Sequence, residues 1–301
     1  MKIGVSLRSG YAPMAARAGA QWLIERARAA ATAGLDSLFI GDHHNVPVPY
    51  YQNVPMLGRL LAEWDARPAG ALFLLPLWHP VLLAEQVGTL ASIARGPFIL
   101  QCAVGAGAEQ FDAFGLSLRD RRTRFEAALD VFRRLCAGEE VSTDTPWKIE
   151  RARIAPVPPE PVDVWIGAAA PRAVDRAARL GDAFLIGPEA TPPQVHELAE
   201  TYREACARHG RPATRIAVRR DVHVGADDAD AERVAGPVLA RGYRGFDPSA
   251  VVSGSVGAVS DAFARLGAAG CTDVIIRHLA DDHDEVLHSF ERLGEVRRRL
   301  Q

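Results

Sequence analysis

Short apolar runs rich in β-branched and aromatic residues alternate along the chain with longer segments of helical period. Eight runs read as strands: "KIGVSL" (2–7), "SLFIG" (37–41), "ALFLL" (71–75), "FILQCAV" (98–104), "VDVWIG" (162–167), "DAFLIG" (182–187), "IAVRRDVHVG" (216–225) and "TDVIIRH" (272–278). Their apolar positions are consecutive rather than alternating, which suits parallel strands covered on both faces. Helical patterns fill the gaps. Residues 192–209 carry Val195, Leu198, Ala199, Tyr202 and Cys206 on one face, behind a "TPPQ" start in which Thr191 and Gln194 can form a capping box. The last helix has Val286, Leu287, Phe290, Leu293, Val296 and Leu300 as its expected inner stripe. Eight such units in 301 residues predict an α/β chain folded as one (β/α)₈ TIM barrel rather than a doubly wound sheet. Three connections exceed a minimal barrel: 105–119 after strand four, 138–161 after the fourth helix, and 242–256, which leads to an extra helix (257–269) before strand eight.

Composition narrows the partners. The net charge is −2, with 35 basic against 37 acidic residues and no basic run, which points away from nucleic acid and from anionic membranes. Only Lys2 and Lys148 are lysines; the arginine bias reads as that of a GC-rich bacterial genome. Cys102, Cys136, Cys206 and Cys271 are widely spaced, with no CxxC, so neither a zinc site nor a disulfide framework is suggested. "MKIGVSL" enters a strand directly and no apolar run reaches spanning length, so a cytoplasmic protein is expected.

Active sites of such barrels lie at the C-terminal ends of the strands. Strand two delivers Asp42, His43 and His44, and the loop beyond, "NVPVPYYQNVP", is apolar enough to act as a lid. Successive strand residues point to opposite sides, so only one of the two histidines can face a pocket; an imidazole there suits proton transfer near neutral pH. Strand three delivers "PLWHP", strand four "GAGAEQFDAFG" with Gly105, Gly107 and Glu109, and strand eight Arg277 and His278. "WIGAAAPRA" places small residues, Gly167, Ala168 and Ala169, before a helix that opens at Pro171, with Arg172 in its first turn. Such a turn can bind phosphate through backbone N–H groups, or can be an ordinary tight turn. A metal held by Asp42, His43, His79 and His278 is the weaker reading, because strand one ends in "SLRSG" without an HxH pair. No metal is expected.

Taken in order, these pieces resemble the luciferase-like flavin-dependent oxidoreductases, which comprise bacterial luciferase-like monooxygenases and their deazaflavin-using relatives. The resemblance runs through "ARAAATAGLDSLFIGDHH", "LLPLWHPVLLAEQVGTLASIARGPFILQCAVGAG", "FDAFGLSLRDRRTRFEAALDVFRRLCAGEEV", "PVDVWIGAAAPRAVDRAARLGDAFLIGP" and "GSVGAVSDAFARLGAAGCTDVIIR", and so covers nearly the whole chain. It implies a flavin across the mouth of the barrel and a homodimer joined through helices two and three. His43 takes the position of the family's catalytic histidine, and Asp42 lies beside it. Ala71 and Leu72 stand where many members carry a non-proline cis peptide under the ring. Gly105 and Gly107 border the ring, and Gly167, Ala168, Ala169 and Arg172 match the phosphate turn. His44, Tyr50, Tyr51, Trp78, Glu109 and Arg277, with Met56, would line the substrate side. Departures exist. Ala106 stands where bacterial luciferase has a phosphate-holding Arg, Ala108 intervenes before the Glu that follows the second glycine in deazaflavin sugar dehydrogenases, and the region after "VHVG" reads as too short for luciferase's mobile loop.

The leading expectation is a monooxygenase using O₂ and reduced FMN delivered by a separate reductase, since no nicotinamide fingerprint is present, and acting on a small organic substrate. Its rival is hydride transfer with the deazaflavin coenzyme F420. A non-catalytic flavin-binding protein is the third possibility.

Overall fold

The computed structural model of the protein describes every residue except Ala12. The strands are β1 (Lys2–Leu7), β2 (Ser37–Ile40), β3 (Ala69–Leu74), β4 (Phe98–Ala103), a short hairpin of β5 (Val141–Thr143) and β6 (Ile149–Ala152), then β7 (Asp163–Gly167), β8 (Ala183–Ile186), β9 (Ile216–Val224), β10 (Val252–Gly254) and β11 (Asp273–His278). The helices are α1 (Ala16–Thr32), α2 (Asn53–Leu60), α3 (Pro80–Ile93), α4 (Ala108–Ala113), α5 (Arg121–Cys136), α6 (Pro171–Leu180), α7 (Pro192–Arg208), α8 (Asp228–Ala240), α9 (Val256–Ala268) and α10 (His283–Arg299). The large sheet runs β10-β9-β11-β1-β2-β3-β4-β7-β8, and β8 pairs again with β9. Eight strands therefore close into a parallel (β/α)₈ barrel, with β10 as a short addition beside β9. All eight expected strands are present.

By contacts the chain forms two compact units: Met1–Arg8, Gln21–Phe39 and Trp165–Gln301 in one, Ser9–Ala20 and Ile40–Val164 in the other. In the first, β1 pairs β11 from Lys2↔Asp273 to Val5↔Ile276, and β11 pairs β9 from Asp273↔Ala217 to His278↔Val222. Ile3, Val5, Phe184, Val218, Val274, Ile276, Phe263 and Phe290 are fully buried there. α7 starts as its sequence suggests, with Gln194 Oε1 accepting from the Thr191 N–H at 2.9 Å. α10 is capped by Asp282, which accepts from the Glu285 N–H at 3.0 Å, and carries acidic residues in its first turn and arginines in its last, in keeping with its dipole. Its buried stripe is Val286, Ser289, Phe290, Leu293, Gly294 and Val296. Leu287 and Leu300, expected in it, are only half-buried: Leu287 is a full residue's rotation from Val286, and Leu300 is already the C-cap.

In the second unit β3 and β4 pair from Ala69↔Phe98 to Leu74↔Ala103, and Phe73, Leu100, Phe125, Leu129 and Phe132 are buried. Two connections hold more structure than expected. Segment 138–161 contains the β5–β6 hairpin. The region after "VHVG" is not short: it carries α8 and two 3₁₀ turns, Tyr243–Gly245 and Pro248–Ala250.

Candidate active site

In the second unit, β2 ends at Ile40 and the chain delivers Asp42 as a wholly buried carboxylate. A buried charge persists only when donors replace its water, and here two of them meet one oxygen. Oδ2 accepts from the Leu74 backbone N–H at 2.8 Å and from the Trp78 indole N–H at 2.9 Å. Oδ1 lies 3.1 Å from Nε2 of His44. That contact lacks hydrogen-bond alignment, and neither atom has another partner among the described residues. The His44 ring packs edge-on against Trp78 (5.7 Å between centroids) and Phe114 (5.1 Å). His44 is thus turned inward while His43 is exposed, the alternation expected of neighbours at a strand end. The His43 ring meets Tyr50 edge-on at 5.4 Å, and its carbonyl accepts from Gln52 Nε2 at 3.2 Å.

The loop after β2 is pinned to the segment after β4. Gln110 Oε1 accepts from the His44 N–H at 3.1 Å, and Asn45 Nδ2 donates to the Glu109 carbonyl at 3.2 Å. The two segments expected to wall a pocket therefore meet. Gly105 (φ 73°) and Gly107 (φ 89°) adopt the left-handed conformation, which a side chain would strain. Gly107 caps α4, with Glu109 exposed in its first turn.

Several expected site residues do other work. Asp42 has no exposed surface, so it is a holder of the β2 and β3 ends rather than a cofactor contact. Trp78 spends its indole N–H on that carboxylate. Tyr51 donates to the Ala16 carbonyl and stacks on Tyr11 at 4.2 Å, which ties the loop to the start of α1 instead of lining a substrate. The expected bulge at Ala71 and Leu72 is absent: the cis peptides among the described residues are Thr145–Pro146 and Ala155–Pro156. Ala71 and Leu72 instead sit in register with Leu100 and Gln101, and Asn53 Nδ2 takes the Leu72 carbonyl at 2.8 Å.

In the first unit, β7 ends at Gly167. The Ala168 N–H is used by the Leu185 carbonyl at 3.3 Å, but the N–H groups of Ala169, Ala170 and Arg172 have no partner among the described residues. Ala169 to Arg172 are exposed, and α6 has no side-chain cap. This is an open helix N-terminus, suited to an anion. Arg277 lies on β11 opposite Asp221 of β9. Asp221 is wholly buried and is held by Arg219, Tyr243 and Arg244. Sequence reading passed over that group, although charges at alternate positions of an apolar strand, Arg219 and Asp221, were its signal. His278 is buried and its ring packs on Phe290 at 4.3 Å; burial, with Arg26 and His223 nearby, lowers its pKa to about 3. Burial, with Arg124, also lowers the pKa of His79. Among the described residues no group of three His, Cys, Asp or Glu could hold a metal, and no helix is long and apolar enough to cross a membrane.

The model of the family described as luciferase-like monooxygenase matches residues 1–291. The chain belongs to that family. Among curated relatives, an F420-dependent glucose-6-phosphate dehydrogenase of Nakamurella multipartita is 27% identical over 241 residues, 75% of this chain and 70% of that one. A second, from Beutenbergia cavernae, is 32% identical over 60% of this chain but spans only 56% of its own length. Among solved structures, the monooxygenase RslO1 of Streptomyces bottropensis superposes with a TM-score of 0.88 at 20% identity, covering 98% of each chain. An F420-dependent secondary alcohol dehydrogenase gives 0.81 at 17% identity, covering 100% of this chain and 99% of its own. At such identities the structures show a shared fold. The protein is a luciferase-like oxidoreductase on the strength of the family match.

Proposed function

We propose that this family member is a hydride-transfer enzyme that uses the deazaflavin F420 on a small organic substrate. The observation that carries this reading is the similarity, over 75% of the chain, to a curated F420-dependent dehydrogenase. This reading ranks the F420 expectation drawn from sequence ahead of the FMN one. Supporting features lie at the strand ends. The unpartnered N–H groups of Ala169, Ala170 and Arg172 fit a cofactor phosphate. The left-handed backbone at Gly105 and Gly107 fits a flat ring approaching the main chain. Both fits concern the cofactor's common parts and would serve FMN equally.

When bound, the deazaflavin supplies a two-electron hydride acceptor and donor that does not use O₂. The chain supplies the rest. In alcohol oxidation the carbon's hydrogen leaves with its electron pair, and the hydroxyl proton must go to a base. In this reading His43, exposed in the loop after β2, takes that proton. His44, held beside Asp42 and between Trp78 and Phe114, positions the loop that carries His43. The loop pinned through Gln110 and Asn45 would exclude water.

The second reading is oxygenation with reduced FMN, favoured by the family's own description. Turnover of F420 with a panel of sugar phosphates and secondary alcohols, with and without air, tests the choice. Oxygen-independent F420 reduction supports the proposal. O₂ consumption that requires reduced FMN overturns it.

A further inference from the structure

Arg219 and Asp221 are two apart on β9 and so project from the same face, and the register places Arg277 of β11 directly opposite Asp221. The turn after α8 completes the group. The Oδ1 atom of Asp221 accepts from Arg219 Nη2 at 3.0 Å and Nε at 3.3 Å, and Oδ2 accepts from the Tyr243 hydroxyl at 2.8 Å and Arg244 Nη1 at 3.0 Å. Both oxygens are filled. Arg277 is left over, its Nε buried and without a hydrogen-bond partner among the described residues.

Three guanidinium groups thus face one carboxylate, an excess of two positive charges. An arginine does not shed its proton to relieve such crowding, so the excess charge favours a bound anion. Burial, and then the nearby Arg219, lower the Arg277 pKa to about 10; burial pushes the Asp221 carboxyl up, but Arg219, Arg277, Tyr243 and Arg244 together hold it below its ordinary value. The group is reachable, since the side chains of Arg219 and Arg244 are 21% and 40% exposed. Arg244 also sits in the left-handed region (φ 54°) between Gly242 (φ 75°) and Gly245 (φ 69°), a backbone cost that persists where the surroundings hold it in place.

We propose that Arg219, Arg244 and Arg277 form an anion subsite that receives the carboxylate or phosphate of the substrate, with Asp221 as the template that aims the guanidinium groups. Its assignment to the substrate rests on the oxidoreductase reading above; the anion site itself does not. Planar guanidinium forks pair two-pronged with either anion. The ordinary alternative is an ion-pair network that only fastens the 243–245 turn.

The test is calorimetric titration of the full chain, without cofactor, using inorganic phosphate and, separately, succinate. The expected result is saturable binding of at least one, weakened about 10- to 100-fold by Arg277→Met, the worth of one or two charge-assisted bonds. Arg277→Lys, which keeps the charge without the fork, should fall between them. Arg277→Met should melt no lower than the wild type, because it relieves repulsion, and should bind F420 and FMN unchanged. Absence of saturable binding, or binding undiminished in Arg277→Met, overturns the subsite. A parallel loss of cofactor affinity overturns its assignment to the substrate and gives the cluster to the cofactor's own anionic part. Since none of these readings requires turnover, failure of the oxidoreductase reading would show separately, as absent catalysis with anion binding intact.

Discussion

Asp42→Ala removes the one acceptor shared by two buried donors, the Leu74 N–H and the Trp78 indole N–H. Each donor left without a partner costs about 1–3 kcal/mol. Partial relief by an entering water brings the expected loss to about 2–4 kcal/mol, a large share of the roughly 5–15 kcal/mol that holds a typical domain. Asp42→Asn is the informative companion. Its carboxamide oxygen can take the place of Oδ2 and keep both bonds, while its NH₂ can donate to Nε2 of His44. Only the charge assistance is lost, so about 1 kcal/mol is expected. The assay is urea denaturation followed by circular dichroism and by tryptophan fluorescence, with midpoints compared at a common slope. If Asp42→Ala shifted stability by less than about 0.5 kcal/mol, below the cost of even one orphaned donor, the reading of Asp42 as the fastener of the β2 and β3 ends would be wrong. Equal damage from Asn and Ala would show that charge, not donor satisfaction, governs the site.

Further outcomes follow from the same geometry. His43→Ala should leave cofactor bound and lower turnover by roughly 10²–10⁴, whereas His44→Ala should cost less activity and mainly stability; a steady-state comparison in which His44→Ala is the more damaging refutes that division. Ala169→Asp should weaken cofactor binding by placing a like charge at the open start of α6, and an unchanged affinity by fluorescence quenching would remove the phosphate from that turn. The His278 pKa is about 3 in the fold against 6.5 ordinarily, so between those values the unfolded chain takes up a proton that the folded chain refuses. Stability should therefore drain away as pH falls below 6.5, by about 2 kcal/mol between pH 7 and pH 5 for this group. His278→Phe should flatten that part of the melting-temperature profile, and equal acid sensitivity in the two proteins would contradict it.

The barrel was legible because its strands are consecutive apolar runs, a local property that closure only confirms. The β5–β6 hairpin and β10 were not, since "VST", "IERA" and "VSG" hold no apolar run and lie largely outside the core, whereas the equally short β2 and β8 are apolar throughout or nearly so. At the site, His43 and His44 differ in exposure as alternation would have it, although both lie beyond the end of β2 at Ile40. What could not be read was which distant group each would meet. Trp78 lies 36 residues from Asp42, and Tyr243 lies 22 from Asp221; nothing local in "GDHH" or "VRRDVH" names those partners. The bulge expected at Ala71 and Leu72 came from family resemblance, and the ladder to Leu100 and Gln101 with the Asn53 bond to Leu72 replaces it.

The measurement that bears most directly on the account is paired cofactor titration of the purified protein, F420 against FMN, followed by turnover of the tighter complex in sealed and aerated vessels. The account predicts tighter F420 binding and turnover indifferent to oxygen. Preferential binding of FMN, with product formed only when oxygen is admitted, would contradict it.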